Sequence, residues 1–319
     1  MSGWIKLVWM ILTAGLLLAF ASVGPCLTSQ ITPMPTVTPQ PEILHIETES
    51  ETVRFAIIGD YGKAGPNAEA VAEMVIEWEP ELILTVGDNN YDVGAAETID
   101  ENIGQYYHGF IAPYVGEYGD GAGDEAEDNR FFPTLGNHDW LTDAAQPYFD
   151  YFELPGNERY YTFTAGDVQF FALDGNYDEP DGIRRDSVQA QWLQAALAES
   201  AAVWKVVYFH VAPYSSGDSG SNLVMQWPFT EWGASAVIAG HDHIYERLEV
   251  DGIPYFVNGV GGGAIYALGD ILPESRFRFN RGYGAMLVTA SAEELTFEFY
   301  ATFDSSTPLD SLTLSATAQ

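Results

Sequence analysis

Four of the six histidines fall in three short motifs, Gly136-Asn137-His138-Asp139, Val207-Tyr208-Phe209-His210 and Gly240-His241-Asp242-His243, each at the end of an apolar run. Two further apolar runs end in Gly59-Asp60 and Gly87-Asp88. Imidazole, amide and carboxylate groups arriving from five separate segments are the mixed nitrogen and oxygen donors that a two-metal site needs. The pattern predicts a metallohydrolase. Gly-Asp after a strand is by itself an ordinary turn. His241 and His243, at i and i+2, can reach neighbouring positions of one cluster, which makes theirs the most specific motif.

The apolar runs supply the elements that must position these groups. Val53 to Ile58 and Leu82 to Val86 read as buried strands, joined by a helix after Pro66-Asn67 with Val71, Val75 and Trp78 on one face. Such a β-α-β start makes the strands parallel and places Asp60 and Asp88 at the same edge. A helical stretch around Ile99 to Tyr114 precedes a third strand, Phe131 to Leu135, which ends at Asn137-His138. Tyr160 to Thr164 and Val168 to Leu173 read as a hairpin through Ala165-Gly166-Asp167. Ser187 is an N-cap for a helix to Glu199, with Trp192, Ala195, Ala196 and Glu199 at helical spacing. Val203 to Phe209 leads into His210, and Ala236 to Ala239 into Gly240-His241. Strands follow at Pro254 to Asn258, Ala285 to Ala290, Leu295 to Thr302 and Ser311 to Leu314. A mixed beginning and a strand-rich end predict an α/β architecture of two packed sheets with helices outside. The run Gly259 to Gly263 is glycine-rich enough to pass close to a ligand.

The formal net charge of −34, from 46 acidic and 12 basic residues, excludes the nucleic-acid binders, which need clustered cations. It also repels anionic substrates at long range, and bound multivalent cations would invert that field locally. The acidic run Glu117 to Asp128 reads as a solvated loop.

At the N-terminus, Lys6 precedes an uncharged apolar stretch, Leu7 to Ala21, which holds the cleavage-like Ala19-Phe20-Ala21. Residues 1–27 are therefore expected to be a secretory signal, with a lipid anchor at Cys26 or a retained membrane anchor as alternatives. All three place the domain in a secreted or extracytoplasmic setting, with any membrane contact confined to the N-terminus. Thr28 to Pro41 is threonine- and proline-rich, so residues 28–51 are expected to be a linker and 52–319 the folded domain. A single cysteine permits no internal disulfide.

The motif order from about Val53 to about Arg247 resembles the calcineurin-like metallophosphoesterases. Asp60-Tyr61-Gly62 lacks the histidine of the common Asp-x-His form, and Tyr91 lies three residues after Asp88. Together these are similar to the purple acid phosphatase branch. The resemblance implies a four-layer α/β/β/α sandwich, two mixed sheets with helices outside, holding two metal ions. Fe(III) would be held by Asp60, Tyr91 and His243, and a divalent Fe, Zn or Mn by Asn137, His210 and His241, with Asp88 bridging. It further implies hydrolysis of small phosphomonoesters through a metal-bound hydroxide. In that reading His138 protonates the leaving alkoxide or orients phosphate, and Asp139 holds its imidazole. The second substrate-facing histidine that the family often carries after the His210 position is absent, and Asp218 and Ser219 stand there instead. Rival readings are a phosphodiesterase or nucleotidase on the same scaffold and, from another class, a non-catalytic extracellular binding domain. Of the remaining histidines, His45 is expected in the linker and His108 in packing or at the surface, while Arg247 is expected to pair structurally.

Overall fold

Short apolar strands, most of them buried along nearly their whole length, assemble two mixed sheets in the computed structural model, which describes residues 43–48, 50–118 and 126–316. The expected signal or anchor, Cys26, the body of the linker and much of the acidic loop lie outside the described residues. One sheet has six strands in the order β14-β13-β12-β2-β3-β4. These strands are β2 (Val53–Ile58), β3 (Leu82–Thr85), β4 (Phe131–Pro133), β12 (Gly284–Ala290), β13 (Glu294–Ala301) and β14 (Asp310–Ser315). The other has eight, in the order β1-β5-β6-β7-β8-β10-β9-β11. They are β1 (Leu44–Ile46), β5 (Tyr161–Ala165), β6 (Val168–Ala172), β7 (Trp204–Val211), β8 (Ala236–Gly240), β9 (Tyr245–Val250), β10 (Ile253–Asn258) and β11 (Ser275–Phe279). Strands β2, β3 and β4 run parallel, as do β6, β7, β8 and β10, so each sheet presents a row of carboxyl ends.

Aromatic side chains join the facing sheets. Phe55 meets Phe170 edge-on at 5.0 Å, Phe132 stacks on Phe163 at 3.8 Å, and Tyr245 stacks on Phe299 at 3.8 Å. Alternation along β7 sends Val206 and Tyr208 into this layer and Val207 and Phe209 to the opposite face, where helix α2 (Val188–Glu199) packs. Helix α1 (Pro66–Glu77) buries Val71, Met74 and Val75. This is the layered architecture expected from the sequence. Arg247 forms the structural pair foreseen for it, donating from Nε and Nη2 to the Asp310 carboxylate at 2.7 and 2.8 Å.

Several local expectations change. The buried face of α2 is Gln189, Ala190, Leu193 and Leu197, whereas Ala195 and Glu199 are exposed and Trp192 and Ala196 only half-buried. The helix was phased on its aromatic residue, but its leucines fill the core. Leu197→Ala should therefore lower stability by about 2–4 kcal/mol, while Ala195→Ser changes it by less than about 0.5 kcal/mol, as denaturant unfolding will read. The folded part also begins upstream of Thr52, because Leu44–Ile46 pairs in parallel with β5. His45 accordingly sits in a strand, with Nδ1 2.8 Å from Thr164 Oγ1. The helical stretch ends at Phe110 instead of Tyr114, its middle turn, Asp100–Gly104, being a π-helix. Strands β9 and β11 were not foreseen. Burial of Glu246 hides the alternation of the first, and the second is an arginine-bearing edge strand.

Candidate metal centre

The parallel strands of both sheets deliver the site. Asp60 lies two residues beyond β2, Asp88 three beyond β3 and Asn137 four beyond β4; His241 directly follows β8. His210 lies within β7, where the pairing with β8 slips between Tyr208 and Val211. Such a bulge re-aims the side chains around it, and here it accompanies an imidazole turned into the site. Asp60, Asp88 and His241 have φ of 54°, 52° and 72°, left-handed conformations that reverse the chain at once after a strand.

Two groups of donors meet at one carboxylate. In the first, the Tyr91 hydroxyl lies 3.2 Å from Asp60 Oδ1, 2.9 Å from Asp88 Oδ2 and 3.0 Å from His243 Nε2. Asp60, Asp88 and His243 are close enough together to share one ion. In the second, His210 Nε2 lies 3.1 Å from Asn137 Oδ1 and 3.2 Å from His241 Nδ1. The same Asp88 Oδ2 is 3.4 Å from His210 Nε2, so it touches both groups. All seven residues expected as ligands are thus brought together.

Backbone acceptors fix two of the imidazoles. His210 Nδ1 is 2.8 Å from Val86 O and His243 Nδ1 is 2.6 Å from Ala264 O. A carbonyl can only accept, so each Nδ1 carries a proton and each Nε2 faces the centre, where a bound cation would take the place of any proton on it. Asp60 and Asp88 are 0% and 2% exposed, and among the described residues their ion pairs are all with histidine. Burial raises the Tyr91 phenol well above its ordinary value, and the Asp60 and Asp88 carboxylates raise it further. Burial opposes charge on His210, yet Asp88 and Asp60 push its imidazole up to about 10. His241 moves down, through burial and then the His210 charge beside it. Two buried carboxylates, a phenol and three imidazoles without Lys or Arg suit cations supplied from outside. The donor set therefore fits the two metals implied by the sequence.

His138 lies at the mouth, its ring 4.6 Å from that of Tyr91 and its side chain 32% exposed. Its Nδ1 is 2.5 Å from Asp92 O, and its Nε2 faces the centre 3.9 Å from Asp88 Oδ2. The expected role of Asp139 as holder of this imidazole needs correction. Its buried carboxylate instead accepts from the backbone N–H groups of Asn89, Asn90 and Gly136 and from Asn89 Nδ2, at 2.8 to 3.2 Å. Burial and then Asp88 push its carboxyl up to about 7 against those donors. Asp139 clasps the Asp88–Tyr91 turn to the Gly136 turn, and the carbonyl of Asp92 orients His138.

Gly62 explains the missing histidine. A Cβ there would lie 2.1 Å from the Asn89 carbonyl carbon and oxygen. Tyr91 N donates to Gly62 O at 2.7 Å and Gly62 N to Asp88 O at 3.2 Å, so the turn that brings Tyr91 in fills the space of a side chain at 62. The run Gly259 to Gly263 does pass close by, with Gly263 N donating to Asp60 O at 2.8 Å. Sequence reasoning missed Tyr266, stacked on His243 at 4.1 Å and 9°, and Asn89, whose amide joins Tyr61, Thr85, Thr134 and Asp139. Asn89 directly follows Asp88 in the sequence; nothing in the sequence marks Tyr266. His108 is a packing residue, with Nδ1 2.8 Å from Gly104 O.

Residues 53–245 match the family described as calcineurin-like phosphoesterase. The chain belongs to that family. Among relatives of this calcineurin-like phosphoesterase, purple acid phosphatase 3 of Arabidopsis thaliana is 26% identical over 79% of the chain and 75% of its own length. Tartrate-resistant acid phosphatase type 5 of Mus musculus is 24% identical over 69% and 76%. The purple acid phosphatase PPD1 of yellow lupin shares the fold at a TM-score of 0.66 and 18% identity, over 83% of this chain and 54% of its own. GAP50, described as the anchor in the inner membrane complex of Plasmodium, does so at 0.65 and 17%, over 84% and 90%.

Proposed function

We propose that this protein is an exported, dinuclear-metal phosphomonoesterase of the purple acid type. The observation that carries this reading is the shared position of Asp88 Oδ2, 2.9 Å from Tyr91 and 3.4 Å from His210, between two groups of donors. Asp60, Tyr91 and His243, with carboxylate and phenolate oxygens, suit Fe(III); Asn137, His210 and His241 suit divalent Fe, Zn or Mn. When bound, two such cations neutralise the phosphate dianion and acidify a water for attack on phosphorus. The chain's own groups then act around that charge. His138, half-exposed with its Nε2 facing the centre, is placed to meet the departing oxygen and in its imidazolium form would donate Nε2–H to it. Export is supported by the uncharged stretch Leu7 to Ala21.

The test combines metal analysis with a visible spectrum. The purified protein is expected to hold two metals per chain and to show a tyrosinate-to-iron band that Tyr91→Phe removes. A colourless, active protein with two divalent ions would overturn the ferric assignment and leave hydrolysis standing. Assayed in parallel, a monoester should be cleaved faster than a diester or a nucleotide; the reverse order would favour the phosphodiesterase or nucleotidase reading. A protein that binds no metal and cleaves nothing would favour the reading as a non-catalytic extracellular binding domain.

A further inference from the structure

The helical stretch that ends at Phe110 widens at its middle turn. Gln105 N–H reaches back five residues to Asp100 O, and the wide turn buries three consecutive residues, Asn102, Ile103 and Gly104. Asp100 pins this turn. Its Oδ1 accepts from the Tyr114 and Tyr151 hydroxyls at 2.7 Å each, and its Oδ2 from Glu117 N at 2.7 Å. Gly104 completes it, because a Cβ there would lie 2.6 Å from both hydroxyls. Turns of this π type are rare and recur at functional sites. The stretch supplies none of the proposed ligands, yet it turns a polar side chain into the interior.

That side chain is the buried amide of Asn102, which joins the turns that follow β2 and β3. Its Oδ1 accepts from Ala64 N at 2.8 Å. Its Nδ2 donates to Asn90 Oδ1 at 2.8 Å and to Tyr91 O at 3.2 Å. A backbone N–H on one side and a backbone carbonyl on the other fix which end of the amide is which. Two neighbours on the same stretch reinforce the join: Thr98 Oγ1 donates to Asn90 Oδ1 at 2.7 Å, and the Tyr106 hydroxyl accepts from Gly65 N at 3.0 Å. Tyr91 is thus held at both ends of its backbone, its N–H by Gly62 O and its carbonyl by Asn102. Asp60, Asp88 and Tyr91 all project from the two turns that Asn102 joins, whereas Asn137, His210 and His241 stand on β7 or beyond β4 and β8.

We propose that Asn102 is a positioning residue for one of the two ions, the one assigned to Asp60, Tyr91 and His243, and that it acts by setting where the Tyr91 phenolate oxygen meets that ion. The inference rests on the dinuclear reading and deepens it. A phenolate oxygen stands at the far end of a long, rigid side chain, so a small tilt of the backbone at Tyr91 carries the oxygen through a larger arc. Without the amide, Tyr91 O is left buried with its donor gone, and the turn relaxes to find another. Groups outside a ligand set that orient one of its ligands contribute about ten- to a hundredfold to metal affinity. The other ion keeps its own supports, such as Val86 O on His210 Nδ1, so the effect falls on one ion of the pair.

The test loads the full chain with iron and zinc and compares wild type, Asn102→Asp, Asn102→Ala and Leu197→Ala. Asn102→Asp keeps the shape and the acceptor for Ala64 N but puts an oxygen where Nδ2 donated, so it decides where Asn102→Ala folds poorly. Leu197→Ala, which weakens the core beneath α2, controls for lost stability alone. Titration with a chelator reads each metal, and the visible band reads the phenolate. Both Asn102 variants are expected to release iron at about ten- to a hundredfold lower chelator concentration, to hold zinc as wild type does and to show a displaced tyrosinate band. Leu197→Ala should match wild type in all three. An Asn102→Asp protein that keeps its iron and an unshifted band, or that loses zinc first, overturns the assignment while the metal centre stands. If wild type is colourless with two divalent ions, the ferric reading falls and stoichiometry decides: one ion retained by Asn102→Asp supports the role of Asn102, and two overturn it. A wild type that takes up no metal overturns both readings.

Discussion

Asp88→Asn is expected to leave no more than one metal per chain and to lower kcat/KM by more than about a hundredfold, the upper end of what even outer partners of a metal contribute. One oxygen of Asp88 lies within 3.4 Å of both Tyr91 and His210, and its other oxygen accepts the His138 backbone N–H at 2.9 Å. Asparagine can keep that backbone contact, since its Oδ1 still accepts. It cannot keep the negative charge facing two cations, nor offer an oxygen to both. The side chain is buried, so water does not replace the lost charge. Metal content and turnover measured on the same preparation check the expectation. An Asp88→Asn protein that retained two metals and its activity would remove this residue as the bridge.

Gly62→Ala is expected to destabilise the protein by about 3 kcal/mol, near the upper range for overpacking a filled site, and to weaken the metal centre with it. The added methyl would fall 2.1 Å from the Asn89 carbonyl, which belongs to backbone and cannot swing away. The same turn carries Asp88 and Tyr91, so any shift that relieves the clash moves two proposed ligands. Denaturant unfolding with and without a chelator separates the effects. The loss should persist in metal-free protein if packing is its cause and vanish there if only metal binding suffers. For the same reason a histidine at position 62 is not expected to restore the common Asp-x-His ligand.

How far the sequence reached depends on what kind of signal each part left. The ligand residues were legible because strand, turn and donor follow one another without a break, as in Ala239-Gly240-His241. The sheets were legible wherever apolar runs were pure, and β9 was lost because Glu246 is buried by its bonds to Ser216 rather than by apolarity. The face of α2 was misplaced because a tryptophan outweighed two leucines. Asp139 was misassigned because sequence adjacency to His138 suggested contact, whereas the turn sends the neighbouring side chains apart, one to the mouth and one into the core. Contacts made by backbone, such as Asp92 O on His138 and Ala264 O on His243, leave no residue-type signal.

The left-handed φ values at Asp60, Asp88 and His241 limit how this centre can change. Side chains in that region are strained by about 1–3 kcal/mol each, and asparagine, aspartate and histidine tolerate it better than most. The residue types proposed to hold a metal here are therefore also the types that the backbone permits. Exchange among those types at these positions keeps the turn, so the identity of the metal can drift under selection without rebuilding the sheets. A β-branched or bulky replacement distorts the turn before it alters the donor set. Anyone moving this centre onto another scaffold must therefore carry over the strand ends and their reversals along with the ligands.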